Sequence, residues 1–470
     1  MMLPFLNRRD EIRRLERAFA QAHSTLCCLF GRRRCGKSRL LREVVRDRKY
    51  VYYVGDRRNA VLQQNALARA MASVLEGFDR VQYPDWEVLL ERWFDEAPPG
   101  TVMVLDEFPD LVQAEPAFPS LLQKMLDSRM DSGLHVVICG SSQSMMMGLV
   151  LDSSAPLYGR STEILEIKPL DIEYTKDAFS VTSGRDILSL WSIWGGVPRY
   201  WELAASFPDR WEAVRELVLE PQGILHREPS RLLLDDFRET TQAESLLSVI
   251  GQGAHTVAKM SRRLNTPATS LSRPLKRLVS LGLITRDVPY GISDKKSKQS
   301  LYRITDPFLV FWFRYVEPHR SQLGAGQVFP VLRSIQDDFT SHEGLIFENI
   351  VREMISRKVI RGMSWRPGRR WWGRGTDGKP MELDVVSHSV DRKNLLVGEV
   401  KLSLPKKSIK RTIEGLLERI SRFPLVGRVK VTPVLFYASE QLREEDERLV
   451  HFEQVVGELT ASTGDGRCAP

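Results

Sequence analysis

The chain has 470 residues, with 68 Lys and Arg against 60 Asp and Glu, a net charge of +8. Hydrophobic residues make up 42% and charged residues 27%, a balance that excludes a disordered tail protein, a collagen-like fibre and a small disulfide scaffold. The length suits about three domains, each able to bury a core.

No apolar run approaches the ~18 residues of a membrane span. The N-terminal MMLPFLNRRDEIRRLERAF lacks the apolar run that follows the charges of a secretory signal. Cys27, Cys28, Cys35, Cys139 and Cys468 form no CxxC or Cys/His cluster. Cys27, Cys28 and Cys139 fall in apolar strand-like runs and read as buried reduced thiols, so the expectation is a cytoplasmic chain without a membrane segment. Cys35 reads as inert, although neighbouring positive charge would favour its thiolate. The basic balance, with a pI near 9.2, is compatible with a polyanionic partner without requiring one.

In chain order, LERAFAQAH reads as a helix, TLCCLF as a buried strand, SRLLREVVRDR as an amphipathic helix and YVYYVG as a strand. Helical stretches through LARAMASVLEGF and WEVLLERWFDEA precede two more short strands, TVMVLD and LHVVICG, with FPSLLQKMLDSRM between them. Strands alternating with helices predict a parallel sheet with crossover helices, an α/β class. Residues 171–242 read as helical, 243–305 as a distinct module, 306–341 as a helical connector, and 342–470 as a second mixed region. The SQLGAGQ stretch near 321–327 marks a joint.

The strongest motif is Gly31-Arg-Arg-Arg-Cys-Gly36-Lys37-Ser38, which fits G-x-x-x-x-G-K-[ST] between a strand and a helix. Its glycines let backbone N–H groups curl around phosphates, and the helix N-terminus adds positive dipole. Lys37 reaches the β/γ-phosphates, Ser38 offers a hydroxyl to Mg²⁺, and Arg39 follows within the nucleotide-binding set. The apolar strand ending in Asp106-Glu107 supplies one carboxylate to hold Mg²⁺ and one, Glu107, to orient the attacking water. Ser141-Ser142-Gln143 after the next strand, and Arg160 in Tyr158-Gly159-Arg160, read either as γ-phosphate and charge sensors or as solvated loops.

In order along the chain, FLNRRDEIRRLE, GRRRCGKS, VMVLDEFPDL, VVICGSSQSMM, PLYGR and WGGVPRYW resemble the archaeal-type P-loop ATPases of the AAA-like and STAND group. The resemblance implies an ATP-binding core over 1–170 with Glu107 as catalytic carboxylate. It also implies a helical lid carrying the Gly195-Gly196-Val197-Pro198 turn.

Residues 243–305 read as a winged helix-turn-helix: TVAKMSRRL, a turn at Asn265-Thr266, and a second helix that keeps Leu271, Leu275, Leu278 and Leu281 on one face. Pro274 inside that helix either shifts its start or kinks it. A wing from Leu283 to Tyr302 carries Lys295, Lys296 and Lys298. With 11 basic and 3 acidic residues the module holds +8. Arg273 and Lys276 would approach a DNA groove and the wing lysines phosphate. The competing reading is a module that packs on its own ATPase.

In the last region ELDVV and LLVGEVKL read as paired strands. Glu399 and Lys401, two apart, share a face, and Asp384 sits on the neighbouring strand. Two carboxylates and a lysine so placed can bind Mg²⁺ and activate water for phosphodiester attack, with Glu348 of the helical run EGLIFENIVREMI completing the metal shell. The D-(hairpin)-E-x-K arrangement, with YRITDPFLVFWFRYV and GLIFENIV, is similar to the PD-(D/E)XK nuclease superfamily. That resemblance implies a restriction-endonuclease-like domain over 342–470, either active or reduced to partner binding. RGMSWRPGRRWWGRG reads either as arginines for phosphate with tryptophans for base stacking, or as a core edge with snorkelling arginines. Together these readings predict an ATP- and Mg²⁺-dependent protein acting on DNA. A homo-oligomer is compatible with them.

Overall fold

A computed structural model of the chain describes residues 3–237, 239–293, 297, 299–427, 429–439 and 446–457. The N-terminal part runs α1 Arg9–Phe19, β1 Thr25–Phe30, α2 Lys37–Val45, β2 Tyr50–Val54, α3 Ala60–Met71 and α4 Trp86–Glu96. It continues through β3 Val102–Asp106, α5 Phe108–Ala114, α6 Phe118–Ser128, β4 His135–Gly140, α7 Gln143–Leu151 and β5 Glu163–Glu166. The five strands are parallel in the order β2-β3-β4-β1-β5. A parallel sheet covered on both faces needs strands that are apolar throughout, which TLCCLF supplies: all six residues of β1 are buried. Cys27 and Leu29 pack with Leu15, Leu40 and Val45 of α1 and α2, while Leu26, Cys28 and Phe30 face Leu67, Leu90 and Trp93 of α3 and α4. Burial pushes the Cys27 and Cys28 thiols up to about 12, so both stay protonated.

A helical segment follows: α8 Thr175–Phe179, α9 Gly184–Trp194, α10 Pro198–Ala204, α11 Arg210–Val214 and α12 Glu228–Leu233. Three helices, α13 Thr241–Gly251, α14 Val257–Leu264 and α15 Ala268–Ser280, then lead into an antiparallel pair, β6 Ile284–Asp287 and β7 Leu301–Ile304. Pro274 lies inside α15, which runs on past it with Leu271, Leu275 and Leu278 buried.

Short helices α16 Pro307–Phe311 and α17 Arg320–Gly324 connect to the 27-residue α18, Val328–Met354. A small ribbon, β8 Val359–Ile360 with β9 Met363–Ser364, precedes β10 Arg369–Arg374, β11 Pro380–His388, β12 Asn394–Lys401, α19 Lys406–Ser421, β13 Lys430–Tyr437, β14 Leu449–His451 and α20 Phe452–Val456. β10, β11 and β12 pair antiparallel; β12, β13 and β14 pair parallel, with α19 crossing over.

The expected boundary at 341/342 falls inside α18, which crosses it without a break. Nor do the later segments have separate cores. Trp194 and Trp201, Leu246 and Leu275, Phe308 and Phe311, Phe347, Leu396 and Phe436 belong to one continuous apolar cluster. The helical segment, the three-helix module and one face of the second sheet are therefore packed as a unit, and α18 is its spine. No described helix is long and apolar enough to cross a membrane.

Candidate functional site

The loop between β1 and α2 owes its shape to left-handed backbone at Gly36 (φ 89°) and Arg34 (φ 70°). A Cβ at Gly31 would stand 2.3 Å from the Ile167 carbonyl oxygen, so only glycine lets the loop leave the sheet there. Lys37, 6% exposed, opens α2 and donates through Nζ to the carbonyls of Gly31 (2.7 Å) and Arg32 (3.2 Å). Ser38 Oγ donates to Asp106 Oδ2 at 2.7 Å, and Tyr52 from β2 donates to the same oxygen at 2.6 Å. Burial and the Asp106 charge hold the Tyr52 phenol well above its ordinary value, so it remains a donor. The hydroxyl and the strand-end carboxylate predicted to share a metal are thus neighbours.

Glu107 has left-handed backbone (φ 49°) and turns its carboxylate across to β4, where it accepts from Ser141 N (3.3 Å) and Oγ (3.0 Å). Ser142 Oγ and Ser144 N and Oγ donate to Asp236 Oδ1, beyond α12. The polar groups of the β4 loop thus bond to Glu107 and Asp236.

Two residues assigned to the nucleotide go elsewhere. Arg160 precedes β5, at the end of the strands away from the phosphate loop, and pairs with Asp127 at 2.9 Å. The Arg39 side chain donates to the Leu3 carbonyl (2.6 Å), pairs with Glu202 (3.5 Å) and lies over the Phe5 ring. It holds the N-terminal segment on the helical segment. The Cys35 thiol is raised, burial outweighing Arg32, Lys37 and Arg8, so no thiolate is favoured.

Other partners were missed in the sequence. Arg8, buried in left-handed backbone, donates to the carbonyls of Cys35 (3.0 Å) and Lys168 (2.6 Å), bracing the loop from behind. Glu228, Asp235 and Asp306 each face a loop arginine. They lie about 200 residues or more away, with no short-range signal to connect them.

Comparison with known proteins fits this site. Residues 5–203 match the family described as an ATPase domain predominantly from Archaea. The chain carries an archaeal-type ATPase domain. Residues 312–413 match a second family, archaeal and bacterial proteins of unknown function. An uncharacterized protein of Methanocaldococcus jannaschii is 29% identical over 423 residues, 88% of this chain and 91% of that one. Among solved structures, the Walker-type ATPase of Pyrococcus abyssi aligns with a TM-score of 0.51 at 19% identity, over 66% of this chain and 96% of that one. The ORC2 protein of Aeropyrum pernix aligns at 0.40 and 14% identity, over 72% and 97%. The ATPase domain binds and hydrolyses ATP on the P-loop sheet.

The second polar centre lies on β11 and β12. Pairing of Val385 with Gly398 sets Asp384 opposite Glu399. Asp384 Oδ2 accepts from Val400 N at 2.9 Å. Glu399 is clamped by Lys401 (2.7 Å) on one oxygen and Arg419 of α19 (2.6 Å) on the other. Glu348 of α18 pairs with Arg352 (3.4 Å), whose guanidinium also donates to the Asp384 carbonyl (2.9 Å). The expected metal shell is therefore not assembled. Among the described residues no three His, Cys, Asp or Glu side chains are grouped to hold a metal ion, because Glu399 and Glu348 turn to cations.

Burial, then the charges of Glu399 and Glu348, raise the Asp384 carboxyl to about 7. Its folded value exceeds its unfolded one. The associated stability is complete below about pH 4 and is lost as pH rises through about 7. The expected result is a fall in Tm between pH 5 and pH 8 that shrinks in Asp384→Asn. The difference is worth roughly 2–4 °C per kcal/mol in a domain of ordinary size. Thermal melts of both proteins across that range check it.

The tryptophan-arginine stretch settles on the packing side for two of its three indoles. Trp365 is buried and donates to the Ile360 carbonyl at 2.9 Å, and Trp371 packs edge-on against Phe423. Neither is free to stack on a base. Arg273 and Lys276 lie on the exposed face of α15. Lys295, Lys296 and Lys298 lie outside the described residues, as does Cys468.

Proposed function

We propose that this ATPase acts on DNA, with the three-helix module and its antiparallel pair as a winged helix and the β10–β14 sheet as a nuclease-like domain. The observation that carries the reading is the cross-strand pair Asp384/Glu399 with Lys401 two residues on, built into the chain that holds the phosphate loop. The domain division proposed is 1–170 for the ATPase core, 171–242 for the lid, 243–305 for the winged helix, 306–341 for the connector and 342–470 for the nuclease-like domain. The α18 spine joins those last two.

At the ATPase site Ser38 and Asp106 would hold Mg²⁺, a fit supported by their direct 2.7 Å contact. Lys37 would neutralise phosphate charge, and Glu107 would orient water. Mg²⁺ supplies Lewis-acid stabilisation of the transferred phosphoryl group. At the second centre Asp384 and Glu399 would supply the carboxylate oxygens for the same ion, Glu399 being held by Lys401 and Arg419 in its absence. Lys401 would neutralise charge on a scissile phosphate there. A cavity of about 380 Å³ lined by Glu348, Arg352, Arg370 and His255 adjoins this centre and leaves room for a substrate beside it.

The DNA reading is supported by the exposed Arg273 and Lys276 on α15. Each phosphate contact removed lowers the slope of log K against log salt by about 0.9. The double variant R273A/K276A is expected to bind duplex DNA more weakly and with a slope reduced by about 2. Fluorescence anisotropy over a salt series checks this. Unchanged binding and slope would assign the module to packing on its own ATPase. The contact from Arg277 to the Asp236 carbonyl, beside the β4 loop, favours that second reading in part: the module touches both solvent and the ATPase.

A further inference from the structure

The three arginines of the phosphate loop are each held by an acid from later in the chain, two from the end of the helical segment and one from the start of α16. Arg32, 8% exposed, pairs with Asp306 at 2.5 Å and donates to Tyr200 Oη at 2.9 Å. Arg33 pairs with Asp235 at 3.2 Å. Arg34 forms an ion pair with Glu228 at 2.5 Å, and Glu228 also accepts from Tyr200 at 2.9 Å. These positions are variable in the phosphate-loop pattern, and their side chains are free of the phosphate-binding role that Lys37 and the backbone perform.

Asp306 has two tasks. Oδ2 takes Arg32, and Oδ1 accepts from Leu309 N at 3.0 Å, capping α16. α16 carries Phe308 and Phe311 into the core shared with α18. The Gly195-Gly196 turn packs against this point: a Cβ at Gly195 would meet Pro307 Cδ at 3.2 Å and Asp306 Oδ1 at 3.4 Å. One carboxylate therefore joins the phosphate loop to the start of the C-terminal half. The connection ends at the reacting group, because the Arg32 carbonyl is one of the two that hold Lys37.

We propose that Asp306 is a positioning residue for ATP binding, acting through Arg32. It fixes the loop backbone that holds Lys37, and so makes occupancy of the phosphate loop and docking of α16 one linked equilibrium. By linkage, whatever loosens α16 weakens ATP, and ATP tightens α16. Arg32 without Asp306 is a buried guanidinium that keeps Tyr200 Oη but loses its paired carboxylate, and the backbone it pulls is the phosphate cradle.

The test is a double-mutant cycle on the full chain with Asp306→Asn and Arg32→Gln, reading the Kd of ATP in Mg²⁺ by calorimetry. Asparagine keeps the cap through its own oxygen, and thermal melts confirm that each variant is folded. Asp306→Asn is expected to weaken ATP at least fivefold, and to add less than twofold in the Arg32→Gln background. A general packing defect would give the same loss in both backgrounds. In Asp306→Asn, ATP is also expected to lose its protection of the backbone amides of 308–316 against hydrogen exchange. Less than twofold weakening, a tightening, or an equal loss in both backgrounds overturns the proposal. So does unchanged ATP protection of 308–316 in Asp306→Asn.

Discussion

Replacing Lys37 with alanine lowers the kcat of ATP hydrolysis by about 10²- to 10³-fold, the usual loss when a preorganised donor to a developing charge is removed. The geometry explains why no neighbour substitutes. Lys37 Nζ is already steered by the Gly31 and Arg32 carbonyls, and the adjacent loop arginines are committed to Asp306, Asp235 and Glu228. Glu107→Gln is the companion variant. It keeps a side-chain oxygen able to accept from Ser141 but loses the charge that polarises water, so ATP binding persists while turnover falls. A phosphate-release assay on the three proteins, alongside a binding titration, reads both effects. Hydrolysis by Lys37→Ala at the native rate would remove the phosphate loop from the reaction.

The second large effect is expected at Asp384. In the proposed nuclease reading Asp384→Ala removes the metal ligand that lies opposite Glu399, and metal-dependent DNA cleavage falls at least about 10³-fold. The same change removes a buried carboxyl whose ionisation is costly near pH 7, so the variant is expected to fold at least as well as the native chain above that pH. Loss of cleavage in a protein that melts no lower separates a chemical role from a structural one. Agarose-gel cleavage and melting at pH 8 supply the two readings.

Much of the N-terminal architecture was legible because its signals are local. A continuous apolar strand, a glycine loop and a helix are adjacent in sequence, and TVMVLD ends where its carboxylate is needed. The second and third helices of the middle module and its paired strands were visible for the same reason, through leucine spacing and the turn at Asn265, whose backbone is left-handed; α13 was not singled out. What stayed hidden depends on distance or competition. Nothing near Arg32 announces Asp306, 274 residues on. Glu348 reads as a ligand until Arg352, one helical turn away, is seen to hold it. Arg160 follows a motif-like PLYGR, but strand register places it at the wrong end of β5. The tryptophans near 370 divide by strand alternation, Trp371 inward and Trp372 half-exposed. Composition near SQLGAGQ marks a joint between helices, and the boundary expected at 341/342 lies inside α18.

The most direct test of ATP-controlled action on DNA is cleavage of supercoiled and linear DNA by the full chain with Mg²⁺ or Mn²⁺, with and without ATP, beside Lys37→Ala and Asp384→Ala. The account predicts metal-dependent cleavage that is absent in Asp384→Ala and no longer responds to ATP in Lys37→Ala. No cleavage under any of these conditions, with ATP hydrolysis intact, would contradict it and leave the C-terminal sheet a binding surface governed by the ATPase.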